Sequence, residues 1–531
     1  MIEELRRKFS VALPLFLAAD KDAIKLELKP YLQPFERELA IRELKALLDP
    51  EDEIKVEHGL HVVCTEKSDD FLRQHLTYWQ RVGRIQLEPT LQKSLELTQN
   101  GLPDASERRE LHRARRLRYG PHDLHEYRGK FFPQLVRSLI NIAGVGPDAI
   151  ILDPMCGSGT TPCEAIAAGR SAIGADLNPL SVLIARVKAS VPLEQADLFA
   201  ATTKSYLEAF RFESVSPHLI WNDDDLRYLK LWFADVAIQE IASILVAVRA
   251  IEHSLYRDFF SICLSNIIRS VSWQKQTDLR VRKEVQPYDA GTAIKRFTLE
   301  AEQQIDRIFA YLSVLPHHDP RPRLEIRHGN SVEVAALFSE YVNKIDLLIT
   351  SPPYATALPY LDTDRLSLIC LGLLPRKRHK GTETNMIGTR EVTEKARREM
   401  WEKYVSRRDE LPSEVADLVD TIAMHNHADD IGFRRRNLPA LLGKYFLDMI
   451  DAMRSARTLM KPGAHGYYVV GNNSTVVDGQ KLEIPTHRFL ASVGVAAGWK
   501  YREEIPMELL ASRDIFRENR GSSETILCFT A

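Results

Sequence analysis

Two short segments of the 531-residue chain combine residue types and spacings that suit chemistry. The first is ILDPMCGSGTT at 151–161, where an apolar run ends at Asp153 and a glycine-containing loop follows. The second is IDLLITSPPY at 345–354, where another apolar run leads directly into a serine and two prolines. Each apolar run is typical of a buried strand, so both segments place polar groups just beyond a strand end.

The glycine-containing segment is typical of a ligand site at the mouth of a helix. Gly157 and Gly159 let the backbone pass close to a ligand, and Thr160 and Thr161 suit the first turn of the helix that follows. Pro162 stands where the dinucleotide fingerprint has its third glycine, which disfavours a pyrophosphate ligand.

The next apolar strand also ends in an acid, Asp176, which is placed to accept hydrogen bonds from ribose hydroxyls. A tight turn without a ligand is the plainer interpretation of a glycine pair after a strand. The added acid favours a cofactor of the adenosyl type.

The Ser-Pro-Pro-Tyr segment suits an amino group. Two prolines fix φ and remove two amide donors, so a nearby carbonyl can point into a pocket instead of a sheet ladder. Ser351 and the Pro352 carbonyl could then accept the amine hydrogens, and Tyr354 could stack on a base drawn out of its helix. Such a site works by holding and polarising the amine. A strand end with a Pro-Pro turn is the plainer alternative for this segment taken alone.

Together, D-P-x-x-G-S-G-T-T and T-S-P-P-Y resemble the motifs of the amino-methylating DNA methyltransferases, which modify cytosine N4 or adenine N6. The resemblance covers roughly 120–198 and 322–531. It implies S-adenosyl-L-methionine as cofactor, DNA as partner, and direct attack by the amine of a flipped base, with no metal and no covalent enzyme intermediate. A restriction or defence partner is a further possibility that it raises.

The same resemblance implies a set of site residues, because HEYRGKFFPQLVRSLI at 125–140 and HGNSVEV at 328–334 are similar to the family's cofactor-side segments. The implied cofactor-binding residues are Lys130, Phe131, Pro133, Asp153, Pro154, Gly157, Gly159, Thr160, Thr161, Asp176 and Asn330. The implied catalytic residues are Ser351, Pro352, Pro353 and Tyr354.

Several alternatives remain open. Serine before Pro-Pro is commoner in N4-cytosine enzymes, which favours cytosine over adenine as a correlation only. Cys156 lies inside the cofactor loop and suits packing, which disfavours a covalent cysteine mechanism. An N-terminal module faintly similar to RNA-presenting domains leaves a guanine-N2 tRNA methyltransferase as one alternative. A catalytically inactive nucleic-acid-binding protein is another.

The strand–loop–helix alternation predicts an α/β fold with parallel strands, helical insertions and an N-terminal α/β module, and the resemblance implies a doubly wound, seven-stranded, Rossmann-like methyltransferase sheet. We expect the accessory module at 1–105, with helices over 35–48 and 69–82. We expect the methyltransferase domain at 120–198 and 322–531. A helical insertion at 199–321, suited to target recognition, and a charged insertion at 373–437 complete the prediction.

Composition sets the outer limits. Apolar residues make up 44% of the chain, charged residues 27%, and the net charge is −2, as in ordinary globular proteins. Six scattered cysteines show no zinc spacing, so we expect no metal. Because no apolar run is long enough for a membrane span or a secretory signal, we expect a cytoplasmic protein. Four basic clusters predict at least one phosphate-contact surface; they lie at 108–118, 275–283, 375–380 and 433–436.

Overall fold

The computed structural model describes residues 23–99, 116–127, 132–275, 282–355, 360–390, 392–426, 432–477, 480–507 and 524–531. These residues build one five-stranded sheet near the N-terminus, one seven-stranded sheet, a two-stranded hairpin and surrounding helices. No helix within the described ranges combines the length and apolar character that a membrane crossing requires.

The N-terminal module is a β-α-β-β-α-β unit with a short fifth strand. Its elements are β1 (Ala23–Leu28), α1 (Pro34–Leu47), β2 (Ile54–Glu57), β3 (Leu60–Cys64), α2 (Asp69–His75), β4 (Trp79–Gly83), β5 (Glu88–Pro89) and α3 (Leu91–Leu97). The strand order is β2-β3-β1-β4-β5, and every neighbouring pair is antiparallel.

The predicted helix over 69–82 is wrong in its second half. The helix α2 ends at His75, and residues from Trp79 form strand β4, which pairs with β1. Trp79 and Val82 are fully buried in the module core, so tertiary pairing decides this segment against its local helical pattern.

The central sheet has the order β13-β14-β10-β9-β6-β7-β8. Its strands are β6 (Ile150–Asp153), β7 (Ser171–Asp176), β8 (Leu324–His328), β9 (Ile345–Thr350), β10 (Met460–Gly471), β13 (Lys500–Met507) and β14 (Glu524–Thr530). Strand β14 runs antiparallel to both β10 and β13, and the pairs among β10, β9, β6, β7 and β8 are parallel. This arrangement confirms the predicted seven-stranded α/β fold.

Both faces of the central sheet are covered, which is why its inner strands are almost continuously apolar. One face packs on the module and on α4 (Pro133–Ile142) and α5 (Thr160–Ala167). The other packs on α12 (Val334–Leu337), α17 (Phe433–Leu459) and α18 (Thr486–Ala496). Helix α6 (Pro179–Ser190) follows β7 and joins the sheet to the helical layer.

A helical layer follows α6 in the chain. It contains α7 (Ala196–Ala209), α8 (Asp223–Leu229), α9 (Asp235–Arg249), α10 (Ser254–Ile268) and α11 (Thr292–Leu312). These helices share one apolar cluster with α13 (Tyr360–Cys370), the helix that comes after the Ser-Pro-Pro-Tyr segment. The layer is therefore anchored to the helix that follows the Ser-Pro-Pro-Tyr segment.

The segment predicted as a charged insertion is helical. It contains α14 (Arg376–Asn385), α15 (Glu394–Arg407) and α16 (Ser413–His425), and α17 already begins at Phe433. The hairpin of β11 (Asn473–Val477) and β12 (Gln480–Ile484) was not predicted from the sequence.

Candidate active site

A pocket opens where the carboxyl ends of β6, β7 and β9 meet, which is the usual ligand position in a parallel α/β sheet. The predicted site residues that line it are Pro154, Gly157, Asp176, Asn330, Ser351, Pro352, Pro353 and Tyr354. The lining also includes Tyr127, Met155, Leu177, Ser331, Met386 and Ile387. The structure thus brings the two motifs to one cavity.

The glycine loop has no room for side chains. Gly157 and Gly159 have φ values of 50° and 80°, which favour glycine. A Cβ on Gly159 would lie 2.7 Å from the Cα of Ala185, and one on Gly157 would lie 3.1 Å from the ring of Tyr127. At Gly157 the pocket wall therefore consists of backbone atoms alone.

Asp176 fixes this loop to the end of β7. Its carboxylate accepts the amide hydrogen of Gly157 at 2.9 Å and that of Asn178 at 2.8 Å. Burial raises the pKa of Asp176 above its ordinary value, and the two amide donors act in the opposite direction. The acid is preorganised at the pocket wall, where it can accept hydrogen bonds from a sugar.

Other predicted cofactor residues lie beneath the pocket and support it. Asp153 accepts the hydroxyl hydrogen of Thr350 at 2.6 Å, and burial raises the pKa of Asp153 to about 7. Thr161 donates to the carbonyl of Ile349 at 3.1 Å. These contacts join the end of β6 and the start of α5 to β9.

Of the remaining predicted cofactor residues, those that the structure describes do not line the cavity but lie in the elements around it. Thr160 accepts a hydrogen bond from the buried Lys188 at 3.1 Å, and burial lowers the pKa of that lysine to about 8. Gly159 precedes α5 and Pro133 is the buried first residue of α4. Lys130 and Phe131 lie outside the described residues.

The hydroxyl of Ser351 is oriented by the neighbouring strand. It donates its hydrogen to the carbonyl of Val469 on β10 at 3.0 Å. Because that hydrogen is already used, the oxygen presents lone pairs to the pocket. The side chain is therefore set to accept, as binding of an amino group requires.

Tyr354 is held by two features of β10 and β14. Its hydroxyl donates to the carboxylate of Glu524, and its ring lies so close to Gly471 that a Cβ there would be 2.7 Å from it. Gly471 and Glu524 are directly paired in the sheet. From the sequence, Glu524 suits a purely structural role; the structure adds a contact with the presumed stacking residue. Arg513, which suits the same role, lies outside the described residues.

The charged insertion contributes one wall of the pocket. Met386 and Ile387 follow α14 and line the cavity. Gly388 has a φ of 75°, and a Cβ on it would lie 2.8 Å from the carbonyl oxygen of Tyr354. Lys444 donates to the carbonyl of Met386 at 3.0 Å. An apolar pair followed by glycine in a polar stretch was the available sequence signal for this wall.

The acids after the Ser-Pro-Pro-Tyr segment make internal contacts. Asp362 pairs with Arg365 at 2.9 Å, and Asp364 accepts a hydrogen bond from Asn178 at 2.8 Å.

Burial raises the pKa of the Cys156 thiol well above its ordinary value, so it stays protonated. Among the residues that the structure describes, no group of three or more His, Cys, Asp or Glu side chains is arranged to hold a metal.

The pocket chemistry fits a nucleoside that carries a short chain. Asp176 supplies a carboxylate acceptor, and the glycine loop gives room for close approach. Asn330 uses its side-chain oxygen to accept the amide hydrogen of Val332 at 3.3 Å, so its own amide hydrogens are left for a ligand. Met155 and Leu177 add apolar surface. A planar base, a ribose and a polar tail can all be matched by these groups.

Comparison with known proteins gives matches of three kinds. The family described as RMKL-like, methyltransferase domain matches residues 124–202. Type II methyltransferase M.MvaI of Kocuria varians is 21% identical over 405 residues, which cover 74% of this chain and 86% of that protein. Type II methyltransferase M.MjaII of Methanocaldococcus jannaschii is 46% identical over 68 residues, which cover 13% of this chain and 12% of that protein.

Among solved structures, two of the rRNA methyltransferase aviRa from Streptomyces viridochromogenes match 77% of this chain and 88% of that chain. Their TM-scores are 0.26 and 0.27, with sequence identities of 11% and 10%. Such low scores carry no argument about this chain.

Proposed function

We propose that this chain methylates an exocyclic amino group of a flipped base in DNA. It is an S-adenosylmethionine-dependent methyltransferase that resembles the amino-methylating DNA enzymes and acts on nucleic acid. We further propose cytosine N4 as the preferred acceptor, with adenine N6 as the alternative. A restriction or defence partner and a cytoplasmic location stay predictions.

The observation that carries this proposal is the state of Ser351. Its hydroxyl hydrogen goes to the Val469 carbonyl, so the oxygen faces the pocket as an acceptor. The same pocket is bordered by Asp176 and the glycine loop, which suit an adenosyl cofactor. An amine acceptor next to a nucleoside site is the minimum that amino-methylation needs.

When bound, S-adenosylmethionine supplies an electrophilic methyl group on a sulfonium. Asp176 would hold its ribose and Asn330 its adenine, with the glycine loop close to its polar tail. Ser351 and the carbonyl of Pro352 orient the amine by accepting its hydrogens. Held in this way, the amine would face the methyl group that the cofactor supplies, and the proton that it gives up on methylation would pass to solvent.

Tyr354 stacks on the flipped base in this account. Its ring is fixed against Gly471 and its hydroxyl against Glu524, so little rotamer freedom remains to be lost on binding. Met386 and Ile387 close the pocket and exclude water from the reacting groups. Serine before the two prolines supports cytosine N4, since the resembling N4 enzymes more often carry it.

RNA is the second candidate substrate, because the matching family domain and the β-α-β-β-α-β module are both compatible with it. RNA modules of this topology stack bases on aromatic side chains of the open sheet face. Among the described strand residues, that face carries no aromatic side chain: alternation places Lys25, Glu27, Lys55, Glu57, Leu60, Val62 and Arg81 on it. The Glu27–Arg81 ion pair at 2.9 Å uses part of its charge. These features favour DNA.

The test is a variant that combines Ser351→Ala with Tyr354→Ala. We expect label transfer from tritiated S-adenosylmethionine to unmethylated genomic DNA to fall by about 10³-fold or more, because both amine orientation and base stacking are lost. Equilibrium binding of the cofactor should stay near the wild-type value, since neither side chain reads it. Unchanged transfer by the variant would overturn the proposal.

A further inference from the structure

A surface beside the catalytic loop carries stacked aromatic and cationic side chains. It consists of Tyr228, Trp232, Trp273, Lys283, Arg365 and Arg376, together with the exposed cations Lys377, Arg378 and Lys380 of α14, and we call it the basic ridge. We propose that the basic ridge binds the phosphodiester backbone of the DNA that carries the target base. This inference rests on the proposed function and identifies the surface that binds the backbone of the DNA substrate.

The ridge is built as a connected unit. The guanidinium of Arg365 lies 4.8 Å from the ring centre of Trp232, and that of Arg376 lies 5.0 Å from the ring centre of Tyr228. The carbonyl of Trp232 accepts the amide hydrogen of Trp273 at 2.8 Å, and the ammonium of Lys283 lies 4.8 Å from the Trp273 ring. Helix α13, the helical layer and the paired segments 273–275 and 282–284 therefore share one surface.

Local structure fixes the two ends of the ridge. The amide of Lys275 donates to the carbonyl of Arg282 at 2.8 Å, and that of Glu284 donates to Trp273 at 2.7 Å, which joins the two arms of a hairpin stem. At the other end, the Asp225 carboxylate accepts the amide hydrogen of Arg376 at 2.7 Å and so caps α14. Both sets of cations are thus presented from ordered backbone.

The ridge lies next to the active site. Gln274 of the hairpin stem shares a small polar pocket with Thr363 of α13 and with Glu126. Glu126 directly precedes Tyr127, which lines the active-site pocket, and α13 follows the catalytic loop. A base that enters the active-site pocket would place the phosphates of its own nucleotide close to the ridge.

The exposed cations of α14 are available to a partner, whereas Arg365 already pairs with Asp362 at 2.9 Å. The acids of α8 are engaged locally: Asp224 pairs with Arg227 at 3.1 Å, and Asp223 lies 3.4 Å from His218. By contrast, Lys377, Arg378 and Lys380 form no ion pair with any residue that the structure describes. Unpaired cations near a site for a polyanionic substrate match the phosphate charge.

The stacked pairs favour phosphate over an acidic protein segment. A guanidinium over an aromatic face keeps the N–H donors of its own plane at the edge of the contact, where they can bind phosphate oxygens in pairs. Because these side chains are already ordered, binding costs less conformational entropy. Regularly spaced phosphates can use several such donors together.

The test compares two variants with equal changes in charge. The ridge variant carries Lys377→Glu, Arg378→Glu and Lys380→Glu, and glutamate in the first turns of α14 suits the helix dipole. The control variant carries Lys55→Glu, Lys204→Glu and Lys395→Glu, at exposed lysines on other elements. The probe is a fluorescein-labelled DNA duplex of two helical turns, and binding is followed by anisotropy across a salt series.

We expect the ridge variant to bind the duplex at least about tenfold more weakly at moderate salt. Its slope of log affinity against log salt should be shallower by about 0.9 for each lost phosphate contact, and the control should keep the wild-type slope. Equal behaviour of the two variants, or a wild type that binds tRNA and no duplex, would overturn the inference.

Failure of the proposed function gives a different pattern. If the wild type methylates no DNA while only the ridge variant loses duplex binding, the ridge stands and the proposed reaction fails. If the wild type methylates DNA while the ridge variant binds the duplex normally, the ridge inference alone fails.

Discussion

At the scale of single residues, the contact between Tyr354 and Glu524 makes the most specific demand. Glu524 accepts the tyrosine hydroxyl hydrogen and thereby fixes the ring that we propose stacks on the base. Glu524→Ala should lower the rate of methyl transfer, and Glu524→Gln should restore much of it because an amide oxygen can still accept. Base extrusion, followed with 2-aminopurine at the target position, should weaken in parallel.

Coupling between the two residues distinguishes positioning from a general structural role. In a Tyr354→Phe background, Glu524→Ala should have little further effect, with a coupling energy of about 0.5–3 kcal/mol in kcat/KM. Glu503→Ala, at an exposed acid of β13, is the control. Additive effects of the two substitutions would show that Glu524 acts independently of the tyrosine.

The buried carboxylate of Asp153 predicts a pH effect on stability. Burial raises its pKa from 3.8 to about 7, so folding binds a proton between these values. Its contribution to the free energy of unfolding is complete below pH about 4 and is lost as the pH rises through about 7. Asp153→Asn removes this dependence.

Urea unfolding of wild type and Asp153→Asn across this range measures the effect. The variant should gain relative stability as the pH rises, by at most about 4 kcal/mol in total, with Asp409→Asn as an exposed control. Parallel pH profiles for wild type and Asp153→Asn would contradict the account.

The residues that line the pocket were largely predictable because strand ends and glycine loops have local signatures. Asp153 and Thr161 belong to the glycine-containing motif but lie beneath the cavity. Strand alternation and the position along the helix turn decide where each side chain points. Glu524 could not be found in this way. Its contact depends on the pairing of β14 with β10, 170 residues from Tyr354 along the chain.

At the scale of elements, the pocket wall formed by Met386, Ile387 and Gly388 depends on the backbone conformation of its glycine, so we expect a substitution there to lower the rate of methyl transfer. Gly388→Ala would strain a residue at φ 75° and push a methyl group against the carbonyl of Tyr354. We expect kcat/KM for methyl transfer to fall by about tenfold or more as the catalytic loop shifts.

Gly381→Ala is a matched control in the same insertion. It lies in α14, where an added Cβ meets nothing within 4 Å, and alanine favours the helix. This control should keep wild-type activity and gain slight stability. Equal activity of both variants would remove the wall from the site.

Element types followed from the sequence pattern where it was clear, as in the continuous apolar run of β9. They failed at 69–82, where tertiary pairing converts the end of an apparent helix into β4. The segment 373–437 was predicted as a charged insertion within the catalytic domain. Its contribution to the pocket depends on three residues whose role only the folded arrangement reveals.

At the scale of the whole molecule, the N-terminal module shares a continuous core with the central sheet. Asn141 of α4 donates to the buried carboxylate of Glu43 at 2.8 Å, and Gln134 donates to Glu96 at 3.1 Å. The sequence predicts an accessory module at 1–105. Its helix α1 packs on the catalytic domain, so we expect the two parts to unfold together.

Leu39→Ala tests this expectation, because Leu39 is fully buried in the shared cluster. It should lower the free energy of unfolding by about 2–5 kcal/mol and shift the unfolding of both parts together. Far-UV circular dichroism and tryptophan fluorescence should give one coincident transition. Val56→Ala, at an exposed site in the same module, should have little effect. Two separate transitions, with only one shifted, would show an independent module.

The α/β class was predictable because strand–loop–helix alternation repeats across the chain, and the seven-stranded sheet followed from the resemblance to the amino-methylating DNA methyltransferases. The topology of the module was not, since its strands are short and their pairing is decided by distant segments. The same limit applies to the basic ridge, where clusters that are separate in sequence become one surface only through packing.

The central claim is methyl transfer to a base amino group in DNA, and nucleoside analysis tests it most directly. Purified protein is incubated with tritiated S-adenosylmethionine and either unmethylated genomic DNA or bulk tRNA, and the labelled nucleosides are then separated. The account predicts label in DNA as N4-methylcytosine, with N6-methyladenine as the alternative outcome within the same reaction class. Label in tRNA alone, or in 5-methylcytosine, would contradict it.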